Sequence, residues 1–312
     1  MTAQQSDADG HLRHLLTLDG LPRASVLALL QRAQQFADGQ HPGPVLAGQA
    51  VCTLFFEPST RTRLSFQRAA QRLGADVLGF DAATSSTTKG ETAVDTLKNI
   101  EAMGVRGLVV RHGDNGAVAE LAAQAAAGTA LVNAGDGSHA HPTQGLLDML
   151  TLRQAKGADF SRLRVLIVGD IRHSRVARSD VHALRTLGTG EIRLCAPAPL
   201  LPDDDTLCGC TILHDLDAAI EGVDAVLLLR LQRERMQEGL VPSLSDYHAH
   251  YGLTAARLRR AAPDAAVLHP GPINRGVEMT DDVADGPQSW ILRQVANGVA
   301  VRMAVLEQVL GA

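Results

Sequence analysis

At 312 residues the chain exceeds what one compact core of ordinary size encloses, so two domains of roughly 150 residues each are expected. Apolar residues make up 45% and charged residues 20% of it, a balance that excludes extended disorder and implies a sizeable core. The formal net charge of -5, with no clustered Lys/Arg stripe, excludes a nucleic-acid partner, because binding a phosphate backbone needs a basic face.

Residues 1–11 are polar and lack the basic-then-apolar order of a secretory signal. No apolar run approaches the roughly 18 residues that a membrane span needs. A cytoplasmic chain without membrane contact is therefore expected. The cysteines, Cys52, Cys195, Cys208 and Cys210, are scattered, two of them inside apolar strand-like runs. Buried free thiols explain them better than a disulfide framework. Cys208, Cys210 and His214 supply three ligand types without a fourth nearby, so no metal site is expected.

Short apolar runs alternate with helical patterns, the signature of βαβ units that build a parallel sheet. In chain order, strands are predicted at 50–56, 76–80, 107–111, 130–133, 164–169, 191–195, 225–229 and 266–269. Helical spacing of apolar residues marks 62–73, 92–103 and 143–154, the last with Leu146, Leu147 and Leu150 on one face. Residues 117–130 are alanine-rich and helical in propensity. A long amphipathic helix closes the chain at 290–310, with Ile291, Val295, Val299, Met303 and Leu306 along one stripe. The fold class read from this pattern is α/β, two doubly wound domains with mainly parallel sheets, joined by bridging helices. The first domain spans 1–142, with 291–312 packing back on it, and the second spans 143–290.

The densest chemistry lies in Phe55-Phe56-Glu57-Pro58-Ser59-Thr60-Arg61-Thr62-Arg63, an apolar strand, a Pro turn, then hydroxyls and guanidiniums at a helix start. That order makes an anion site. Backbone N–H groups at a helix start have no internal partner and sit at the positive end of the dipole, hydroxyls add donors, and arginine grips two oxygens at once. Ser59-Thr60 alone reads equally well as an ordinary N-cap before a solvated face.

Further along, Thr84 to Thr92 is a polar stretch containing Ser85 and Lys89, which alone reads as a surface loop. Arg111 ends a predicted strand, where a guanidinium points into the crevice used by α/β ligands, or else is a surface arginine. His141 and Gln144 stand at a probable helix start after the turn Gly135-Asp136-Gly137. Arg175 follows the strand-turn Val168-Gly169-Asp170, and Arg230 ends an apolar run; either is also readable as a structural ion-pair partner. Residues 232–251 form a long polar Gly- and Pro-containing stretch, read as a closing loop. Gly169 follows a strand as in a dinucleotide-binding turn, but Ile171, Arg172 and Arg175 occupy the positions where further glycines would admit a pyrophosphate, which argues against NAD.

In this order and spacing, Ser59-Thr60-Arg61-Thr62, Ser85 with Lys89, Arg111-His112, His141-Pro142-Thr143-Gln144, Gly169-Asp170 with Arg175, Arg230 with Gln232, and His269-Pro270-Gly271-Pro272 resemble the motifs of the aspartate and ornithine carbamoyltransferases. The resemblance runs across nearly the whole chain. It implies a transferase that moves the carbamoyl group of carbamoyl phosphate onto the α-amine of L-aspartate, an early step of de novo pyrimidine biosynthesis, with no cofactor. By resemblance, carbamoyl phosphate is bound by Ser59, Thr60, Arg61, Thr62, Ser85, Arg111, His141, Gln144, Pro270 and Gly271, in the 1–142 domain for the most part. The catalytic set is Arg61, Thr62, Lys89, Arg111, His141 and Gln144, and aspartate is held by Lys89, Arg175, Arg230 and Gln232 in the 143–290 domain. Glu57 and Arg235 match orienting positions, and Arg63 is read as supporting. Ser85 and Lys89 are expected to reach a neighbouring subunit's site, so a homotrimer is implied, with assembly alongside regulatory or dihydroorotase-like chains left open. Aspartate rather than ornithine is expected because the chain has His269-Pro270-Gly271-Pro272 in place of the ornithine enzymes' His-Cys-Leu-Pro string, has no Ser-Met-Gly loop, and keeps Arg230-Leu231-Gln232, which suits an anion. Gly271 departs from the leucine of some aspartate enzymes at a place where backbone carbonyls are the expected ligands.

Overall fold

The computed structural model describes residues 5–7, 10–41, 43–81, 90–204, 208–231 and 243–311. The chain divides into two compact units, residues 1–146 with 296–312, and residues 147–295.

In the first unit, β1 (Ala50–Phe55), β2 (Asp76–Asp81), β3 (Gly107–His112) and β4 (Ala130–Asp136) form one sheet in the order β2-β1-β3-β4. Every pairing is parallel. Val51, Cys52, Thr53, Leu54 and Phe55 are all buried, the continuous run expected of a strand covered on both faces. The covering helices are α1 (Arg23–Ala37), α2 (Thr60–Arg72), α3 (Ala93–Ala102) and α4 (Ala117–Gln124). Sequence analysis does not single out α1, although Val26, Leu29, Leu30, Ala33 and Phe36 on its buried face have helical spacing. The helix expected over 117–130 ends at Gln124, and a turn through Gly128 at φ +81° precedes β4.

The outer edge of β4 is closed by the N-terminal segment. Leu15 N–H donates to Leu131 O (2.9 Å) and Asn133 N–H to Leu15 O (2.8 Å), which occupies backbone groups that would otherwise template further strands. The far end of α11 (Ile291–Leu310) belongs to the same unit. Glu307 accepts two hydrogen bonds from the Arg32 guanidinium, and Leu310 O accepts from Gln49 Nε2 (2.9 Å). A Cβ on Gly107 would stand 2.7 Å from Leu310 Cδ1, so the end of the helix packs closely on the start of β3.

In the second unit, β5 (Arg164–Val168), β6 (Glu191–Cys195), β7 (Thr211–Leu213), β8 (Ala225–Leu228) and β9 (Ala266–Leu268) run parallel in the order β7-β6-β5-β8-β9. The strand β7 was not expected: it is three residues at the sheet edge, two of them exposed, and carries no apolar run. The helices are α6 (Arg175–Leu187), α7 (Leu216–Ala219), α8 (Leu244–Tyr251), α9 (Ala255–Leu258) and α10 (Asp281–Ala284). Leu166, Val168, Val226, Leu228 and Val267 of the sheet pack with Leu216, Ile220, Leu253 and Val283 in the core. The loop expected over 232–251 needs correction at its end, because 244–251 is the helix α8, capped by the Ser243 side chain accepting from Asp246 N; 232–242 lies outside the described residues. The chain passes between the units within α5 (Pro142–Lys156) and within α11.

Cys52 and Cys195 are buried in β1 and β6, and burial pushes their thiols up to about 11 and about 12. Cys208 departs from the expectation of burial and is exposed. No helix among the described residues is long and apolar enough to cross a membrane.

The turn that leads from β4 to α5 is built around Asp136, which is 1% exposed. Its Oδ1 accepts from Asn133 Nδ2 (2.8 Å) and Ala140 N–H (3.1 Å), and its Oδ2 from Gly116 N–H (2.8 Å) and His139 Nδ1 (3.0 Å). Burial pushes this carboxyl up, but hydrogen bonds from His139, Asn133 and Gly116 outweigh it and hold it below its ordinary value. Its contribution to stability is therefore fully present above the ordinary carboxylate range and is lost as pH falls through the lowered folded value. Asp136→Ala should destabilise the protein by roughly 3 kcal/mol at neutral pH, because it leaves buried donors unmatched. The gap in melting temperature from the unsubstituted protein should narrow in acid; a gap that stayed constant from neutral to acid pH would show that the carboxylate charge is not what holds the turn.

Candidate active site

In a doubly wound sheet, ligands bind outside the carboxyl ends of the strands, where the strand order reverses. In the first unit that point lies between β1 and β3: β1 connects through α2 to β2 on one side, and the chain then returns to β3 on the other. In the second unit it lies between β5 and β8, since β6 and β7 extend one side and β8 and β9 the other.

The residues expected to bind carbamoyl phosphate in the first unit follow the carboxyl ends of three adjacent strands. Ser59, Thr60, Arg61 and Thr62 follow β1, Arg111 ends β3, and His141 and Gln144 follow β4. Ser59 is the N-cap of α2 in extended conformation, its side chain makes no capping hydrogen bond, and the first turn holds no acidic residue. The positive end of the helix therefore has neither a capping side chain from Ser59 nor an acid in its own first turn. Thr62 is 8% exposed, whereas Thr60 and Arg61 are exposed. Arg63 is half-buried on the same turn.

Arg111 is fixed from two sides. Its Nη2 lies 3.0 Å from Glu57 Oε2, and its Nη1 donates to Ala134 O (3.1 Å). The strand-end loops are themselves stitched together, Phe56 N–H to Arg111 O (2.9 Å) and Gly137 N–H to His112 O (3.1 Å). His141 is 4% exposed and Gln144 8%, and the His141 carbonyl accepts the N–H groups of Gln144 (2.9 Å) and Gly145 (3.2 Å) as α5 begins.

The second unit repeats the pattern. Arg175 follows β5 as the first residue of α6 and is 6% exposed. Ser174 caps that helix by accepting from Ala177 N–H (3.1 Å), and buried Asp170 holds the preceding turn through His173 N–H (3.2 Å) and His173 Nδ1 (2.8 Å). Gly169 has φ +129°, and a Cβ there would meet Leu229 at 3.0 Å, so the β5 and β8 ends can approach only without a side chain. Arg230 follows β8 and is half-buried; Pro270 and Gly271 follow β9. Ser85, Lys89, Gln232 and Arg235 lie outside the described residues.

Glu278, 1% exposed, was not anticipated. It accepts from Leu231 N–H (3.0 Å), Asn274 N–H (2.6 Å) and Asn274 Nδ2 (2.7 Å), so one carboxylate holds both the residue after Arg230 and the chain beyond Pro272. His269 Nδ1 accepts from Gly271 N–H (2.8 Å), which leaves the ring proton on Nε2, 3.7 Å from Glu278 Oε2. Nothing in the local sequence signals Glu278, which is 47 residues from Leu231. Asp136 did leave a trace, since it sits inside the Gly135-Asp136-Gly137 turn.

Residues 13–154 match the family model described as "Aspartate/ornithine carbamoyltransferase, carbamoyl-P binding domain", and residues 161–309 match "Aspartate/ornithine carbamoyltransferase, Asp/Orn binding domain". A protein of Stenotrophomonas maltophilia named aspartate carbamoyltransferase catalytic subunit is 74% identical, with all of both chains covered. One of the same name from Xanthomonas campestris is 73% identical, again over all of both chains. Among solved structures, aspartate transcarbamoylase from Trypanosoma cruzi in complex with carbamoyl phosphate and aspartate is 31% identical with a TM-score of 0.85, covering 96% of this chain and 97% of the other. Ornithine carbamoyltransferase from Thermus thermophilus is 28% identical with the same TM-score, covering 96% and 99%. Both halves of the sequence thus match, and the chain belongs to the aspartate/ornithine carbamoyltransferase family.

Proposed function

We propose that this chain transfers the carbamoyl group of carbamoyl phosphate to the α-amine of L-aspartate, giving N-carbamoyl-L-aspartate and phosphate, an early step of pyrimidine synthesis. The observation that carries this reading is that each unit has arginines at the strand ends of its own switch point, in a chain 74% identical to a relative named as an aspartate carbamoyltransferase catalytic subunit. A phosphorylated donor and a dicarboxylic acceptor are both anions, and guanidiniums at strand ends suit both.

On this reading residues 1–142 with the C-terminal helix bind the donor. The start of α2 with Ser59, Thr60, Arg61 and Thr62 takes the phosphate. Arg111, aligned by Glu57, bridges phosphate and carbonyl oxygen; His141 donates to that oxygen, and Gln144 holds the carbamoyl NH2. Residues 143–290 bind the acceptor, Arg175 taking the α-carboxylate and Arg230 with Gln232 the side-chain carboxylate. Pro270 and Gly271 offer backbone carbonyls to the carbamoyl and amino groups.

The uncharged amine attacks the carbonyl carbon, negative charge gathers on the oxygen, and the tetrahedral centre collapses as the bond to phosphate oxygen breaks. Phosphate leaves with the electron pair and takes the amine proton. Arg111, Thr62 and His141 stabilise the oxyanion, and the remaining contacts hold the reactants in line. Ser85 and Lys89 act in a neighbouring copy's site, which makes the working unit a homotrimer. Such an enzyme works in the cytoplasm.

Arg61→Ala and Arg111→Ala should each lower kcat by about a hundredfold or more while leaving the circular dichroism spectrum intact. Near-normal turnover in either variant would remove the assignment. Arg230→Ala should raise the KM for aspartate by about tenfold or more, the loss of one charge-assisted hydrogen bond pair, and the unsubstituted enzyme should not carbamoylate ornithine; ornithine turnover would transfer the chain to the other branch of the family. Light scattering should report three chains, and inactive Lys89→Ala and Arg111→Ala chains should regain activity when refolded together, because mixed trimers place an intact Lys89 beside an intact Arg111. Recovery absent from verified mixed trimers would rule out the shared site.

A further inference from the structure

The second unit contains a pair of acids that the proposed chemistry leaves unused. Asp180 on α6 is 0% exposed and Asp148 on α5 is 1% exposed. Among the described residues no ordinary donor reaches either oxygen of Asp180; its hydrogen-bonding neighbour is the Asp148 carboxyl. Two carboxyl groups can hydrogen bond only when one carries a proton, and two bare charges at that distance in a dry interior repel strongly.

The contact is one node of a longer chain. Gln294 Nε2 donates to Asp148 Oδ1 (2.5 Å), and Gln294 Oε1 accepts the backbone N–H of His269 (3.0 Å). The pair therefore ties three segments that carry groups assigned above to substrate. Asp148 lies one turn beyond Gln144 on α5. Asp180 lies five residues beyond Arg175 on α6, and between them Ser179 Oγ donates to Arg175 O (2.9 Å). His269 opens the turn that presents Pro270 and Gly271.

We propose that Asp180 is a positioning residue that stays protonated at neutral pH and donates to Asp148, so that a single shared proton locks Arg175 and the 269–272 turn in register with α5 for aspartate binding. This role rests on the aspartate carbamoyltransferase reading for its substrate, but the proton itself does not. Burial, followed by the charge of Asp148, pushes the Asp180 carboxyl well above its ordinary value. Among the described residues Asp148 is the charged group that acts on it, and Gln294 faces the pair from α11 without charge.

The linkage has a definite sign. An unfolded chain ionises Asp180 at neutral pH, so folding takes up a proton and stability falls as pH rises above the ordinary carboxylate range. Asp180→Asn has no proton to take up and keeps a donor for Asp148. Asp180→Ala keeps neither proton nor donor, and leaves the Asp148 carboxylate without this contact.

The test uses the full-length enzyme and both variants. Infrared spectra at neutral pH should show the C=O band of a protonated carboxylic acid in the unsubstituted enzyme and lose it in Asp180→Asn. The melting temperature of Asp180→Asn should exceed that of the unsubstituted enzyme by a margin that widens from acid to neutral pH. Asp180→Ala should raise the KM for aspartate by about tenfold with a smaller change in kcat, and Asp180→Asn should restore it to within about twofold. Absence of the infrared band overturns the shared proton whatever the substrate proves to be. A damaged Asp180→Asn, or an Asp180→Ala that loses melting temperature with an unchanged aspartate KM, overturns the positioning role. Should aspartate prove not to be a substrate while the band is present, the function assignment fails and the buried proton stands.

Discussion

The arrangement of Arg111 between Glu57 and the Ala134 carbonyl sets the geometry of the donor half of the site. A guanidinium at a strand end loses part of its hydration, and a carboxylate with a backbone carbonyl offsets that loss only when both stand in the plane of its fork. Here Glu57 comes from the loop after β1, Arg111 from the end of β3 and Ala134 from β4. The side chain therefore registers three adjacent strand ends against one another. The helix start that follows Glu57 and the turn that follows Ala134 inherit their positions from it, so the residues proposed to take the phosphate, and His141, follow segments anchored on one charge.

An acidic chain that handles anions must keep its own carboxylates away from them, and this protein does so by turning several inward. Asp136, Asp170 and Glu278 are almost wholly buried, and each accepts backbone N–H groups of a loop at the strand ends. Backbone amides satisfy a carboxylate without adding a positive charge that would compete with the arginines. Asp148 and Asp180 solve the same problem by sharing a proton. The interior acids thus act as fasteners for loops, and the cationic side chains remain the charges presented at the strand ends.

The fold itself does not choose the acceptor. An ornithine enzyme and an aspartate enzyme superpose on this chain with the same TM-score of 0.85. On the proposed reading the choice is made by the chemistry at the ends of β8 and β9, where Arg230 would favour a carboxylate and repel an ammonium. Discrimination by the sign of a charge at one strand end needs no change in the sheet beneath it.

The parallel sheets were legible in the sequence because a strand covered on both faces must be largely apolar, and runs such as Val51 to Phe55 and Val165 to Val168 meet that demand in one stretch of chain. The helix start after β1 was legible as a local pattern too, since Ser59, Thr60, Arg61 and Thr62 are contiguous in the chain. The edge strand β7 was not, since two of its three residues face solvent and nothing forces them to be apolar. Nor were Glu278 and the Asp148–Asp180 pair, which tie in segments tens of residues away and whose side chains in the sequence look like any solvated acid. Periodicity and motif order by themselves determined the α/β class, the family and the candidate ligands. Tertiary structure alone decided which acids go inside, which carboxylate aligns which arginine, and where a proton must be kept, because those depend on burial and on distances between segments that the order of residues does not encode.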